Sequence, residues 1–340
     1  MSKTLLITGG AGFIGHHVID LFLQKTDWNI VSLDRLDYSG NLNRLDDVVS
    51  RYPVEDRKRV KVVYGDLRAE VTALQQNFIG DVDYILHMAA SSHVDRSIED
   101  PMSFVMDNVI GTVNILNFAR QCKNLKRFIY FSTDEVFGPA PGTIVYGERD
   151  RYNSTNPYSA SKAAGEEMCV SFENTYKLPI FITHTMNVFG QRQHPEKYIP
   201  MCIRKIRDGQ SITVHSDSTK TIPGSRHYIH AQDVAEALTF ILGLKNFVMP
   251  SEFGGAKCPK FNIVGKQEIN NLELAQIIAD SQNKSLIYEM VDFHSSRPGH
   301  DLRYALDGGL MRSLGWEPKV AFSERIKQVS DWYLENDRWL

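Results

Sequence analysis

An α/β fold on a doubly wound parallel sheet, with a smaller C-terminal α+β lobe, is predicted by three features of this 340-residue chain. Short apolar runs alternate with helix-like segments over the first half. A glycine-rich turn joins the first run to the first helix. After residue 187 the rhythm weakens, and glycine, proline and charge become denser, as in 250–259 and 295–304. Strands that alternate with helices pair in parallel through right-handed crossovers. The expected boundaries are 1–186 for the first lobe, with a return segment near 226–246, and 187–340 mainly for the second.

In order, Thr4–Thr8 is an apolar strand, and GGAGFIG at 9–15 opens a helical pattern running through Leu23. Asn29–Asp34 is a second strand and Val60–Tyr64 a third. Residues 84–88, 128–131 and 180–184 read as three more, with helices expected at 104–122 and 159–176. Beyond them, 212–215 and 261–264 look like short strands of the second lobe. Helical patterns cover 231–242, 271–280 and 322–334, the middle one capped by Asn270 or Asn271.

Composition narrows the function classes. The formal charge is −3, with 23% charged residues and 42% hydrophobic ones. Such a balance gives no field for nucleic acid or an anionic membrane. Cys122, Cys169, Cys202 and Cys258 are scattered, which argues against a disulfide framework or structural zinc and favours a reducing, cytoplasmic setting. The chain runs from Met1 almost directly into a strand, without a signal-peptide pattern. No apolar run approaches the ~18 residues that span a bilayer.

The glycine turn is the first chemical signal. Gly9, Gly12 and Gly15, with a GxGxxG at Gly10, Gly12 and Gly15, let backbone N–H groups approach a pyrophosphate at a helix N-terminus. Asp34 lies about 20 residues on, where a carboxylate accepts from adenosine ribose hydroxyls. Its charge repels a 2′-phosphate and favours NAD over NADP. The adjacent Arg35 is either a solvated cation or a group that accommodates that phosphate. Asp66, at another strand end, is read as an adenine contact or as a helix N-cap.

The second signal is Tyr158 and Lys162. Four residues apart on a helix, they share a face. A nearby ammonium is expected to lower the phenol toward neutrality, so that it exchanges a proton with a substrate hydroxyl. Together with the glycine turn, this pattern resembles the extended short-chain dehydrogenase/reductases over nearly the whole chain. The resemblance implies a Rossmann lobe holding NAD and a C-terminal lobe holding a nucleotide sugar. It implies no metal.

Asp134 and Glu135 follow Thr133 directly. Neighbours in a strand point to opposite faces, so both reach one site only if the strand ends there. Two carboxyls in a closed site can be driven to different pKa values, one remaining an acid and the other a base. Loss of water across C5–C6 of a sugar needs that pair. STDEVFG at 132–138, SHVDRSI at 92–98, PEKYIP at 195–200 and RPGHD at 297–301 resemble the nucleotide-glucose 4,6-dehydratases.

That resemblance implies Tyr158 as base at the C4 hydroxyl while NAD takes the C4 hydride. Glu135 then removes the C5 proton and Asp134 protonates the departing C6 hydroxyl. NAD is tightly held and recycled in each turnover. Thr133 contacts the C4 oxygen region, and Lys162 supports Tyr158. The implied cofactor set comprises Gly9, Gly12, Phe13, Ile14, Gly15, Asp34, Asp66, Leu67, Ala89, Ala90, Tyr158, Lys162 and Asn187. Lys197, Arg226 and Arg297 suit the substrate diphosphate. Ser92, Thr133, Asn262, His300 and Tyr304 complete the substrate set. Lys257 and Lys266 read as solvated charges, and Trp316, Trp332 and Trp339 as core or interface. A homodimer packing through 104–122 and 159–176 is also implied.

Four departures from the family pattern stand out. Ser91 replaces a glutamate, Met186 an asparagine and Asp107 a small hydroxyl residue, and 216–224 is a longer turn. They leave dTDP-glucose and UDP-glucose both open. The alternatives are a nucleotide-sugar 4-epimerase or decarboxylase, which has no evident need for Asp134 beside Glu135. A non-catalytic NAD sensor could dispense with Tyr158 and Lys162.

Overall fold

The computed structural model describes residues 2–253, 258–292 and 302–340. Six strands come in the predicted order: β1 (Thr4–Thr8), β2 (Asn29–Asp34), β3 (Val60–Tyr64), β4 (Tyr84–His87), β5 (Arg127–Thr133) and β6 (Ile180–Thr185). They lie in the order β6-β5-β4-β1-β2-β3, and all pairings are parallel. Alternate residues of β1 serve opposite faces. Leu5 and Ile7 join the core under helix Phe13–Lys25, while Leu6 joins the core under helices Gly111–Ala119 and Pro157–Tyr176. Strands buried on both faces explain the unbroken apolar runs of the sequence. Edge strand β3 has one open side, and its Val62 and Tyr64 are exposed.

A seventh strand corrects the lobe boundary. Lys260–Ile263, expected in the second lobe, pairs in parallel with β6 and extends the main sheet. Phe261 and Ile263 are fully buried in the first lobe's core, and so are Leu310 and Met311 of helix Gly309–Ser313. Helix Ala231–Gly243 also returns, packing Val234, Leu238 and Ile241 against Val18, Ile19 and Phe22. A four-residue apolar run carries no mark of which sheet it will join, because its partner is set by tertiary packing. Trp316 is part of this same core.

The second lobe has its own core, in which Ile203 and Ile206 meet Leu274, Ile278, Ile326 and Tyr333. Trp339 is buried there and Trp332 packs against it. Strand Ile212–Ser216 pairs with Tyr288–Asp292, and Ser225–His227 with Glu268–Asn270. The long turn after Ser216 is organised by Asp217, whose Oδ1 accepts from the N–H groups of Thr221 and Ile222 at 2.9 Å each. Helices Asn271–Ser281, capped by Asn270, and Phe322–Glu335 match expectation. Among the described residues, no helix is long and apolar enough to cross a membrane.

The expected helix at 104–122 is broken in its middle. Pro101–Val105 and Gly111–Ala119 are α-helical, but Met106–Ile110 forms a π-turn. Such turns insert an extra residue and re-aim side chains. Here Asn108 points inward: its Nδ2 donates to Ser91 O at 3.0 Å and Ser161 Oγ at 2.8 Å, and its Oδ1 accepts from Ser91 N at 2.9 Å. That one amide ties the turn after β4 to the helix carrying Tyr158 and Lys162.

The same helix lies close to β5 through Gly165. A Cβ there would overlap the Tyr130 hydroxyl and sit 2.9 Å from Asn108 O. Gly165→Ala is therefore expected to lower stability by about 1–3 kcal/mol through overpacking, as read by urea denaturation. An unchanged midpoint would show that the contact relaxes freely.

Candidate active site

The sheet reverses its winding between β1 and β4, and open α/β sheets bind ligands at the carboxyl side of such a point. The turns after both strands meet there. Gly9 has φ +75°, and a Cβ on it would lie 3.0 Å from the Ala89 backbone. Gly12 leaves room above the Gly9 carbonyl, which a Cβ would approach to 2.9 Å. Helix Phe13–Lys25 begins immediately after. This bare backbone cradle at a helix N-terminus fits the pyrophosphate of NAD.

A cleft of about 400 Å³ runs from this cradle across the sheet. Phe13, Ile14 and Gly15 line one side, and Leu67, Ala89, Ala90 and Asn187 also face the cleft. Asp34 is buried; its Oδ2 accepts from Ala11 N at 3.1 Å and its Oδ1 from Leu36 N at 2.8 Å. Asp66 lines the cleft as well, and its Oδ1 accepts from Arg68 N at 2.9 Å. It closes a local turn and is not an N-cap, since the next helix starts at Ala73 under Thr72.

Arg35 is half-buried and its guanidinium is already engaged by carboxylates. Its Nη1 and Nη2 donate to Asp107 at 2.5 and 3.0 Å, and its Nε donates to Asp37 at 2.7 Å. Ser91 Oγ donates to the same Asp107 at 2.6 Å. Two of the family departures, Ser91 and Asp107, are thus hydrogen-bonded to each other.

At the other end of the cleft, β5 ends at Thr133 and a 3₁₀ turn carries Asp134–Phe137. That termination lets both carboxyls reach one site. Gly138 closes the turn at φ +75°, packed on the Asn153 carbonyl. Thr133 Oγ1 donates to Asp134 Oδ1 at 3.1 Å, whereas Asp134 Oδ2 is buried without a partner among the described residues. Helix Pro157–Tyr176 starts with Asn156 as N-cap and Pro157 in the first turn. Asn156 Nδ2 also donates to Glu135 Oε2 at 3.1 Å. The Asn-Pro pair signals a cap in the sequence, but its reach to Glu135 comes only from the fold.

Burial raises both carboxyls. Asp134 moves up to about 6, with Arg226 opposing; Glu135 moves up to about 7, helped by the Asp134 charge and opposed by Asn156. The pair therefore keeps a proton near neutrality, above the ordinary carboxylate range. Tyr158 departs from expectation. Burial and then the Glu135 carboxyl push its hydroxyl above the usual value. The Lys162 ammonium, expected to lower it, turns toward the end of β5. Its Nζ donates to Phe131 O at 2.7 Å and lies 4.3 Å over the Tyr130 ring. Burial lowers Lys162 to about 8, against the pull of Glu166.

A buried polar cluster supports this floor. Glu166 accepts from Ser132 and Tyr152 and lies 3.2 Å from both His184 Nε2 and Lys260 Nζ. Burial alone would raise Glu166, but His184 and Lys260 hold it at about 2. Asn262, expected at the substrate, belongs here instead. Its Oδ1 meets His184 Nδ1 at 3.0 Å and its Nδ2 donates to the carbonyls of Tyr146 and Asp307. Every polar group of that side chain is engaged inside the protein. None of Glu166, His184 and Lys260 stands out in the sequence, since three distant segments bring them together.

Among the expected substrate contacts, Ser92, Thr133 and Lys197 line the cleft. Arg226 lies outside its lining, yet its charge reaches Asp134 and Glu135, and its guanidinium packs 4.7 Å over Tyr304. Met186 is buried in a small apolar cluster with Val136, Phe137 and Tyr304. Arg297, His300 and Lys257 fall outside the described residues. Lys266 forms an exposed ion pair with Glu317 at 3.0 Å. No group of metal ligands occurs among the described residues.

A dinucleotide cradle, a Tyr158–Lys162 helix and an acidic turn on one cleft define an NAD-dependent enzyme of the extended short-chain dehydrogenase/reductase class. Residues 6–329 match the family model described as GDP-mannose 4,6 dehydratase. The chain belongs to the nucleotide-sugar 4,6-dehydratases. It is 33% identical to dTDP-glucose 4,6-dehydratase of Salmonella typhimurium, covering 99% of this chain and 94% of that one. A trifunctional UDP-glucose 4,6-dehydratase, epimerase and reductase of Arabidopsis thaliana is 33% identical over 99% of this chain and 48% of its own length. The structure of DesIV, a dTDP-glucose 4,6-dehydratase of Streptomyces venezuelae with NAD and TYD bound, superposes with a TM-score of 0.84. It is 34% identical and covers 99% of this chain and 98% of that chain.

The raised carboxyls carry a stability signature. In the folded state Glu135 keeps its proton up to about pH 7, against 4.5 in its ordinary state. Folding stability from this group therefore falls as pH rises through that interval. Glu135→Gln removes the cost of burying the charge. Its melting temperature is expected to exceed wild type by at least about 2 °C at pH 8, with the gap closing near pH 4. A constant gap across that range in thermal melts would contradict the burial argument.

Proposed function

We propose that the chain converts dTDP-glucose or UDP-glucose to the corresponding 4-keto-6-deoxyglucose nucleotide, with Asp134 and Glu135 as the dehydrating pair. The adjacent carboxyls beside Tyr158, Asp134 buried and Glu135 half-buried, carry this reading. NAD, when bound, supplies the acceptor for the C4 hydride and returns it to C6. Tyr158 takes the C4 hydroxyl proton as its phenolate, which needs its raised pKa to fall once cofactor and substrate are bound. Thr133, in contact with the Tyr158 hydroxyl, holds the reacting oxygen. The resulting ketone acidifies C5–H.

Glu135 is assigned as the C5 base because Asn156 Nδ2 stabilises its anion. Asp134 is assigned as the acid because its buried Oδ2 has no partner among the described residues, so a proton there is free to meet the leaving C6 hydroxyl. These assignments need the pair to hold one proton, on Asp134, when substrate is bound. Lys197, Arg226 and, by sequence position, Arg297 and His300 are assigned to the nucleotide diphosphate and base, with Ser92 and Tyr304 beside them. Relatives named for dTDP-glucose and for UDP-glucose support both nucleotides.

A homodimer is part of the proposal. Met102, Val105 and Ile110 are exposed along 101–119, and Tyr176 along the Tyr158 helix. Exposed apolar groups on two neighbouring helices suit a self-association face. The four free cysteines support a cytoplasmic setting.

Incubation with each sugar nucleotide in D₂O is expected to give the 4-keto-6-deoxy product with deuterium at C5, read by NMR and mass spectrometry. Absence of product from both would overturn the reading. Glu135→Gln should still reduce bound NAD but lose water about 10²–10⁴-fold more slowly; undiminished dehydration would remove Glu135 from the role of base.

The pH dependence follows from the same pair. Below about 6 both carboxyls are protonated and the base is lost; above about 7 both are ionised and the acid is lost. Dehydration kcat/KM is therefore expected to be bell-shaped, with its maximum between those values. A profile flat from pH 5 to 9 would exclude the pair.

A further inference from the structure

We propose that Asp107 is a cofactor-specificity residue, fixing the preference for NAD over NADP by occupying the guanidinium of Arg35. Arg35 follows the ribose-facing Asp34 directly, the place from which an arginine can take a 2′-phosphate. All three of its nitrogens already lie on carboxylates. Nη1 and Nη2 form a fork on Asp107, and Nε donates to Asp37. A bidentate fork of this kind is the same geometry that would grip a phosphate.

Asp107 is held firmly enough to keep that hold. Its side chain is 6% exposed. It also accepts from Arg68 Nε at 2.6 Å and from Ser91 Oγ at 2.6 Å. It projects from the π-turn Met106–Ile110, which is anchored through Asn108 to the Lys162 helix. The carboxylate therefore belongs to the rigid floor of the cleft, whereas Arg35 is the partner that reaches to it.

Net charge at the rim points the same way. Asp34, Asp37, Asp66 and Asp107 share this end of the cleft with Arg35, Arg44 and Arg68, four acids against three cations. A 2′-phosphate brings about two further negative charges into a rim that is already acidic. Converting Asp107 to a neutral residue removes one of those charges and frees the Arg35 fork together. Asp34 still faces the ribose, so the expected result is a shift in preference and not its inversion.

The proposal rests on dinucleotide binding in this cleft and not on the dehydration step, so the test reads binding alone. Full-length protein is equilibrated with equimolar NAD and NADP, separated from free dinucleotide, and the bound pair quantified by chromatography. Asp107→Asn is expected to raise the bound NADP:NAD ratio about tenfold, the scale of one charge-assisted hydrogen bond. Adding Arg35→Ala should return the ratio to the wild-type value. Asp107→Ser, with folding checked by thermal melts, gives the same readout should the asparagine variant misfold. An unchanged ratio in a folded Asp107 variant would overturn the proposal. So would a gain that survives Arg35→Ala, or an equal loss of both dinucleotides.

Discussion

Asp134 and Glu135 are two neighbouring acids, one buried and one half-buried, that the fold gathers at the end of one strand. The surrounding architecture answers to that constraint. Ending β5 at Thr133 places both carboxyls on one side, and capping the next helix with Asn156 gives Glu135 a donor. Burial then lifts both pKa values, while the Arg226 charge opposes the rise at both carboxyls and the Lys197 charge at Glu135. A closer cation would stabilise the anions and abolish the acid. The stability lost in burying these groups is what keeps a proton available near neutrality.

Beneath this turn, a second buried acid is treated in the opposite way. Glu166 is surrounded by Lys260, His184, Ser132 and Tyr152, and it is held as an anion. Burial acts on all three carboxyls alike; the partners decide the outcome. Glu166 in turn opposes the loss of charge on Lys162. The floor of the cleft is thus fixed by a satisfied network, while Asp134 Oδ2 in the acidic turn above it has no partner among the described residues. Firm support under an incompletely satisfied group is the arrangement expected of a reactive site.

The local part of this organisation was legible in the sequence. Strand–turn–helix patterning placed β1 to β6, the glycine cradle and the Tyr158 helix, because each depends on neighbours a few residues away. Non-local features were not legible. Lys260–Ile263 gave no sign that it would join the main sheet, and Asn262 on it turned inward to His184 and the carbonyls of Tyr146 and Asp307. Lys162 shared a helix face with Tyr158 as the spacing required, yet its ammonium found the Phe131 carbonyl. Arg35 was ambiguous for a similar reason. Its partner Asp107 lies 72 residues away, on a π-turn that helical periodicity cannot reveal.

The return of the chain to complete the main sheet bears on how such enzymes can diversify. Removing everything after β6 would leave that strand as an open edge, with Thr183, His184 and Thr185 losing the partners supplied by Phe261, Asn262 and Ile263. It would also uncover the apolar side of helix Phe13–Lys25, which helix Ala231–Gly243 covers. An exposed edge over an uncovered core invites aggregation. The two lobes are therefore not interchangeable cassettes. A new sugar or nucleotide preference has to arise by substitution or loop change within one interwoven body, because a transplanted lobe would carry part of its host's sheet away with it.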